Sequence, residues 1–163
     1  MSLGVLGLGE IGSHVAKICK SLGMVVWGLG KRERPLIPPY VDHYRTMSSL
    51  AEVLQSCDYI CNVLPSTQAT RYQLSGDVLK NCMDRGSVFI NIGRGDIIDE
   101  KSLVQALKQN WISGAILDVF ESEPLSPTSE IWDMPQVTIS PHYSGIGNQK
   151  EVKLFLKRRK RKF

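Results

Sequence analysis

No apolar run in this 163-residue chain approaches the roughly 20 residues needed to cross a bilayer, so no membrane span is expected. The start, Met1-Ser2-Leu3-Gly4-Val5, lacks the basic segment and apolar stretch of a secretory signal, and a cytoplasmic protein is the expectation. Cysteine is sparse and poorly spaced for chemistry: Cys19, Cys57, Cys61 and Cys82 form no CxxC pair and have no histidine pair nearby. Cys57 and Cys61 flank an apolar stretch that suits buried, reduced thiols, so neither a metal site nor a disulfide is expected. Aromatics make up only 7% of the chain and are not interleaved with a basic stripe, which argues against nucleic acid as a partner. What is left is an ordinary globular composition, 42% hydrophobic and 22% charged.

The net charge of +4 is unevenly placed. Residues 150–163 hold eight Lys and Arg against Glu151 alone, so the first 149 residues carry a net −3. One domain over residues 1–149 is expected, followed by a basic, disordered tail over 150–163.

Along the domain, short apolar runs alternate with helical periodicity. Leu3 to Leu6 reads as a strand, and Val15, Ile18, Cys19 and Leu22 fall at helical spacing before Gly23. Met24 to Trp27 reads as a second strand and Val41 to Tyr44 as a short third. Ser48 or Ser49 would cap a helix through Leu50, Val53 and Leu54. Tyr59 to Leu64 reads as a strand halted by Pro65, then comes a less regular helical segment to about Cys82, and then a strand from Ser87 to Ile92. Asp99 would cap a helix carrying Leu103, Val104, Ala106 and Leu107. Two more strands are expected, Ala115 to Leu117 and Val137 to Ile139. This alternation predicts an α/β fold, a doubly wound parallel sheet covered on both faces.

The first strand runs into Gly7-Leu8-Gly9-Glu10-Ile11-Gly12, a GxGxxG pattern between strand and helix. Gly7 permits the tight turn, Gly9 the approach of a pyrophosphate, and Gly12 close packing of helix on strand. The helix N-terminus offers N–H groups and partial positive charge to phosphate. A ribose-binding Asp or Glu is expected about 20 residues beyond the motif in an NAD site. Here the chain reads Gly30-Lys31-Arg32-Glu33-Arg34, with glycine in the acid's place and cations following. Lys31 and Arg32 would meet an adenosine 2′-phosphate, which favours NADP(H) over NAD(H).

Three further features close consecutive strands, where open α/β sheets hold their ligands. They are Arg94 in Asn91-Ile92-Gly93-Arg94-Gly95, the acids of Asp118-Val119-Phe120-Glu121-Ser122-Glu123-Pro124, and His142 in Ser140-Pro141-His142. Taken singly, Arg94 reads as a surface cation, Glu123 as a loop acid, and His142 as a loop histidine like His14 and His43. Together, a cation, a carboxylate and an imidazole suit reduction of a 2-keto acid. Arg94 can grip the substrate carboxylate, His142 can protonate the carbonyl oxygen, and Glu123 can orient His142.

From about Leu3 to about Gly145 these four patterns resemble the D-isomer-specific 2-hydroxyacid dehydrogenases. The resemblance implies a Rossmann-type NAD(P)-binding domain with Arg94, Glu123 and His142 as the catalytic set. It also implies that Asp118 lies near the nicotinamide and that Leu64, Pro65, Ile92 and Gly93 line the cofactor. Ser129-Glu130-Ile131-Trp132 before Pro135, with the basic turn, looks most like the glyoxylate/hydroxypyruvate reductases, whose substrate is a small 2-keto or 2-hydroxy acid. Dimers built largely through the cofactor domain are usual in that family, so a homodimer is expected. In the family a substrate lobe is built from both ends of a chain about twice as long; here that lobe is expected to be absent. A non-catalytic NAD(P)-binding or regulatory module, or an inactive truncated product, are the alternatives.

Overall fold

The computed structural model describes residues 1–145. Its strands are β1 (Ser2–Leu6), β2 (Val25–Gly30), β3 (His43–Thr46), β4 (Tyr59–Asn62), β5 (Val88–Asn91), β6 (Gly114–Leu117) and β7 (Val137–Ile139). The helices are α1 (Glu10–Ser21), α2 (Leu50–Ser56) and α3 (Glu100–Lys108), with short 3-10 turns at Met47–Ser49, Val78–Cys82, Gly95–Ile97 and Glu130–Asp133. All seven strands form one parallel sheet in the order β3-β2-β1-β4-β5-β6-β7. The chain steps outward from β1 to β3 and then crosses to β4 on the other side of β1. The order in which strands are added therefore reverses between β1 and β4, the crevice where such folds bind nucleotides.

Alternation along the strands sends side chains to two cores. Leu3 and Val5 of β1 join Val26, Val41, Tyr44 and Cys61 under Ala16 of α1. Leu6, Leu29, Ile60, Phe89 and Leu117 face the other way, under α2 and α3. Burial pushes the Cys57 and Cys61 thiols up to about 12 and the Cys82 thiol to about 11, so these cysteines stay protonated in the core.

Several elements depart from the sequence expectation. β2 extends to Gly30 because it pairs with β1 from Ser2↔Val25 to Leu6↔Leu29 and with β3 as far as Gly30↔Thr46. β3 starts at His43, later than expected, and Val41 is a core residue before it. Ser49 occupies the cap position of α2, but its side chain makes no capping hydrogen bond; the 3-10 turn Met47–Ser49 leads into the helix instead. Asp99 does cap α3, accepting from the Ser102 N–H at 2.8 Å. β4 ends at Asn62, ahead of Pro65, and the helix expected before Cys82 is confined to Val78–Cys82.

Both faces of the sheet carry helices, as expected, though unevenly among the described residues. Ile116 of β6 points away from Ala115 and Leu117, on the same side as α1, and is 41% exposed. Every connection between β3 and β7 crosses on the opposite face, so α1 is the one helix on this side among the described residues, and it lies over β1 and β2. The tail, residues 150–163, lies outside the described residues.

Candidate active site

At the end of β1, Gly7 takes a left-handed φ of +106°, and a Cβ on Gly12 would lie 1.9 Å from the Gly7 carbonyl oxygen. Helix α1 is thereby pressed onto the turn, as expected of the third glycine. Gly9 differs: a Cβ there would meet nothing within 4 Å, so no part of the chain itself demands glycine. Gly9 is also the N-cap of α1 and offers no side chain to its N–H groups. Bare backbone in open space at a helix N-terminus fits a bound pyrophosphate. Glu10 and Ile11 are exposed beside it, while Leu8 is buried under β2.

Leu64 brings the expected cofactor residues together. Its side chain lies 3.2 Å from where a Gly7 Cβ would be, and its carbonyl oxygen 2.9 Å from where a Gly93 Cβ would be. Ile92 is half-buried against the α1-side core, and Pro65 is exposed at the rim. Beneath them lies an arrangement that sequence reasoning missed. Asn62 and Asn91, both buried, end β4 and β5 and share a 2.8 Å side-chain hydrogen bond. Asn62 Oδ1 then accepts from the Leu64 N–H, and Asn91 Oδ1 from the Gly93 N–H. The Asn91 amide donates to the Arg94 carbonyl. The signal was present as asparagine at the ends of two apolar strands, where a buried amide must find partners.

Arg94 is exposed, and its Nη1 donates to the Gly93 carbonyl at 2.8 Å, the one hydrogen bond of its guanidinium among the described residues. Its turn is locked from below, since a Cβ on Gly95 would fall 1.7 Å from the Phe120 carbonyl oxygen. On the neighbouring loop, Glu123 Oε1 accepts from the Phe120 N–H and Oε2 pairs with His142 Nδ1 at 2.7 Å. That contact places a proton on Nδ1 and leaves Nε2 facing outward.

His142 adopts φ +55°, the left-handed region that costs a non-glycine residue strain. Asp118 brackets it. Its buried carboxylate accepts from the Ser140 and Ser144 hydroxyls and from the N–H groups of Tyr143 and Ser144. Burial raises the Asp118 pKa, but these four donors outweigh it and hold the carboxyl below its ordinary value. In this structure the carboxylate is spent on the histidine loop.

A carboxyl depressed on folding stabilises the fold above its unfolded pKa of about 3.9, and the contribution disappears as pH falls through the folded value. Asp118→Asn is therefore expected to cost about 2 kcal/mol at neutral pH, because an amide cannot accept all four bonds. In thermal melts the gap to the unaltered chain should close on acidification below about pH 4. A gap constant with pH would contradict this role.

At the other end of the crevice, Lys31 and Arg32 follow β2 and are exposed, with no ion pair among the described residues. Arg34 Nη2 donates to the Leu8 carbonyl of the glycine-rich turn at 3.3 Å. Glu33 lies within electrostatic reach of Arg45.

A nucleotide crevice at the strand ends, with a cation and a paired histidine on the next turns, defines a nicotinamide-dependent dehydrogenase domain. Residues 1–144 match the family model of the D-isomer specific 2-hydroxyacid dehydrogenase NAD binding domain, and the chain belongs to that family. A glyoxylate reductase of Aeropyrum pernix is 36% identical over 154 residues, 94% of this chain and 45% of that protein. A glyoxylate/hydroxypyruvate reductase of Arabidopsis thaliana is 34% identical over 87% of this chain and 42% of its own length. Among solved structures, the NADPH-dependent glyoxylate/hydroxypyruvate reductase of Sinorhizobium meliloti in complex with NADP and sulfate superposes with a TM-score of 0.82. It is 31% identical, and the match covers 96% of this chain and 49% of that one. The chain thus spans less than half the length of these curated relatives. Among the described residues no helix is long and apolar enough to cross a membrane.

Proposed function

We propose that this domain binds NADP(H) in preference to NAD(H) and carries the catalytic residues of a reductase of small 2-keto acids such as glyoxylate or hydroxypyruvate. The observation that carries the reading is the 2.7 Å pair of His142 Nδ1 with Glu123, one loop away from a free Arg94. When bound, the nicotinamide supplies or accepts the hydride. Arg94 offers its open guanidinium edge to the substrate carboxylate, a geometry that carboxylates meet bidentately. His142 hands the proton on Nε2 to the substrate oxygen, and Glu123 holds the ring in register. Gly7, Gly9 and Gly12 with the start of α1 take the pyrophosphate, and Leu64, Pro65, Ile92 and Gly93 line the way to the nicotinamide. Asp118 acts on that end through the histidine loop. A homodimer formed through this domain belongs to the same reading.

The coenzyme preference rests on Lys31 and Arg32, exposed and uncommitted where an acid would otherwise bond the ribose. Fluorescence titration is expected to show NADPH binding at least about tenfold more tightly than NADH, since the 2′-phosphate gains charge-assisted bonds of roughly 1.5–3 kcal/mol each. Equal affinities would remove the preference.

One observation favours a second reading for the chain by itself, that of a binding module. The His142 side chain is 49% exposed and Arg94 is exposed too, so water reaches both reacting positions. NADPH binding with negligible turnover of glyoxylate is expected, and turnover at ordinary enzyme rates, of order 1–10³ per second, would overturn it.

A further inference from the structure

Glycine at position 30 has a physical cause that lies on another strand. Gly30 sits in β2 without a left-handed φ, so its backbone would accept any residue. The space would not. A Cβ there would lie 2.1 Å from the hydroxyl oxygen of Tyr44 and 2.9 Å from the ring carbon that bears it. Tyr44 belongs to β3, pairs opposite Gly28, and is 7% exposed, so it cannot swing away without leaving the core. The same hydroxyl donates to the Arg32 carbonyl at 2.6 Å, and the face of the ring lies 5.5 Å from the Arg34 guanidinium.

From these contacts we infer that Tyr44 is a specificity-determining positioning residue for the coenzyme. It bars a ribose-binding carboxylate from position 30, and it pins the Lys31–Arg32 turn so that both side chains point to the 2′-phosphate position. This inference rests on the reading of that turn as a phosphate site. Tyr44 need not touch the nucleotide. It acts by occupying one residue's space and by fixing another's backbone, and Arg34 carries the brace on to Leu8 of the glycine-rich turn.

The test measures NADPH and NADH affinity by fluorescence, together with the melting temperature, for the chain, Tyr44→Phe, Gly30→Asp and Gly30→Asp/Tyr44→Leu. Tyr44→Phe keeps the ring and loses one neutral hydrogen bond, so NADPH affinity should fall about 3- to 10-fold with NADH affinity unchanged. Gly30→Asp alone should melt well below the chain and gain no affinity for NADH. Adding Tyr44→Leu should recover part of the lost melting temperature and raise NADH affinity about tenfold over the single variant. A Gly30→Asp protein that melts like the chain and prefers NADH would overturn the inference, as would Tyr44→Phe weakening both nucleotides equally. Equal binding of both nucleotides by the unaltered chain would instead overturn the phosphate-site reading, and this inference with it. The Tyr44→Phe arm stands even if the double variant fails to fold.

Discussion

With His142 replaced by alanine, NADPH-dependent reduction of glyoxylate or hydroxypyruvate is expected to fall about 10²- to 10⁴-fold, the usual worth of a positioned general acid. Nucleotide affinity should not change, because His142 lies beyond the end of β7 and the glycine-rich turn proposed for the pyrophosphate at the end of β1. The physical basis is the pairing of Nδ1 with Glu123 at 2.7 Å, which dedicates one ring nitrogen to orientation and leaves the other for substrate. Glu123→Gln should be milder, since an amide oxygen still accepts a hydrogen bond from Nδ1 and keeps the ring oriented. Stopped-flow or steady-state assays of coenzyme absorbance, made on a form of the protein that turns over, read both variants. A His142→Ala protein with an undiminished rate would strip the residue of its proposed role.

The largest effect on stability is expected at Gly95. Its Cβ would fall 1.7 Å from the Phe120 carbonyl oxygen and 1.9 Å from the Phe120 carbonyl carbon, both backbone atoms that cannot rotate aside. Gly95→Ala must therefore separate the Arg94 turn from the segment after β6. Overpacking of this kind costs about 3 kcal/mol, which for a chain of this size lowers Tm by roughly 6–12 °C. Because the separated segment also carries Asp118 and Glu123, nucleotide binding and any turnover should weaken with it. A melting temperature unchanged from the parent would mean that the two turns are not packed as described. Gly9→Ala is the control: it has open space around its Cβ, so it should leave Tm unchanged and weaken only the nucleotide.

Much of the proposed site was marked out in the chain by local signals. The glycine-rich turn shows itself within six residues, Gly7 to Gly12, and Asp99 caps α3 through a residue three positions on. Arg94, Glu123 and His142 were legible as residue types placed just after apolar runs. Less legible were the limits of β2, β3 and β4, where pairing with a neighbour or a buried asparagine, rather than propensity, decides where a strand stops. Coverage of the sheet on both faces was legible, but not how unevenly the helices are shared between them among the described residues. An apolar residue such as Ile116 announces burial, yet the handedness of the crossovers leaves α1 as the one helix on its face among the described residues, and α1 lies over β1 and β2.

The sequence by itself determined the class of fold and the glycine-rich turn, which depend on neighbours a few positions apart, and it singled out the three residues proposed for catalysis by their joint pattern at successive strand ends. Tertiary structure alone decided why position 30 is glycine, what Asp118 is bonded to, and how Asn62 meets Asn91. Those contacts join residues 14 to 29 positions apart, such as Asn62 with Asn91 and Asp118 with Ser140. Only after the sheet has been assembled do such residues come within reach of a hydrogen bond or a steric clash.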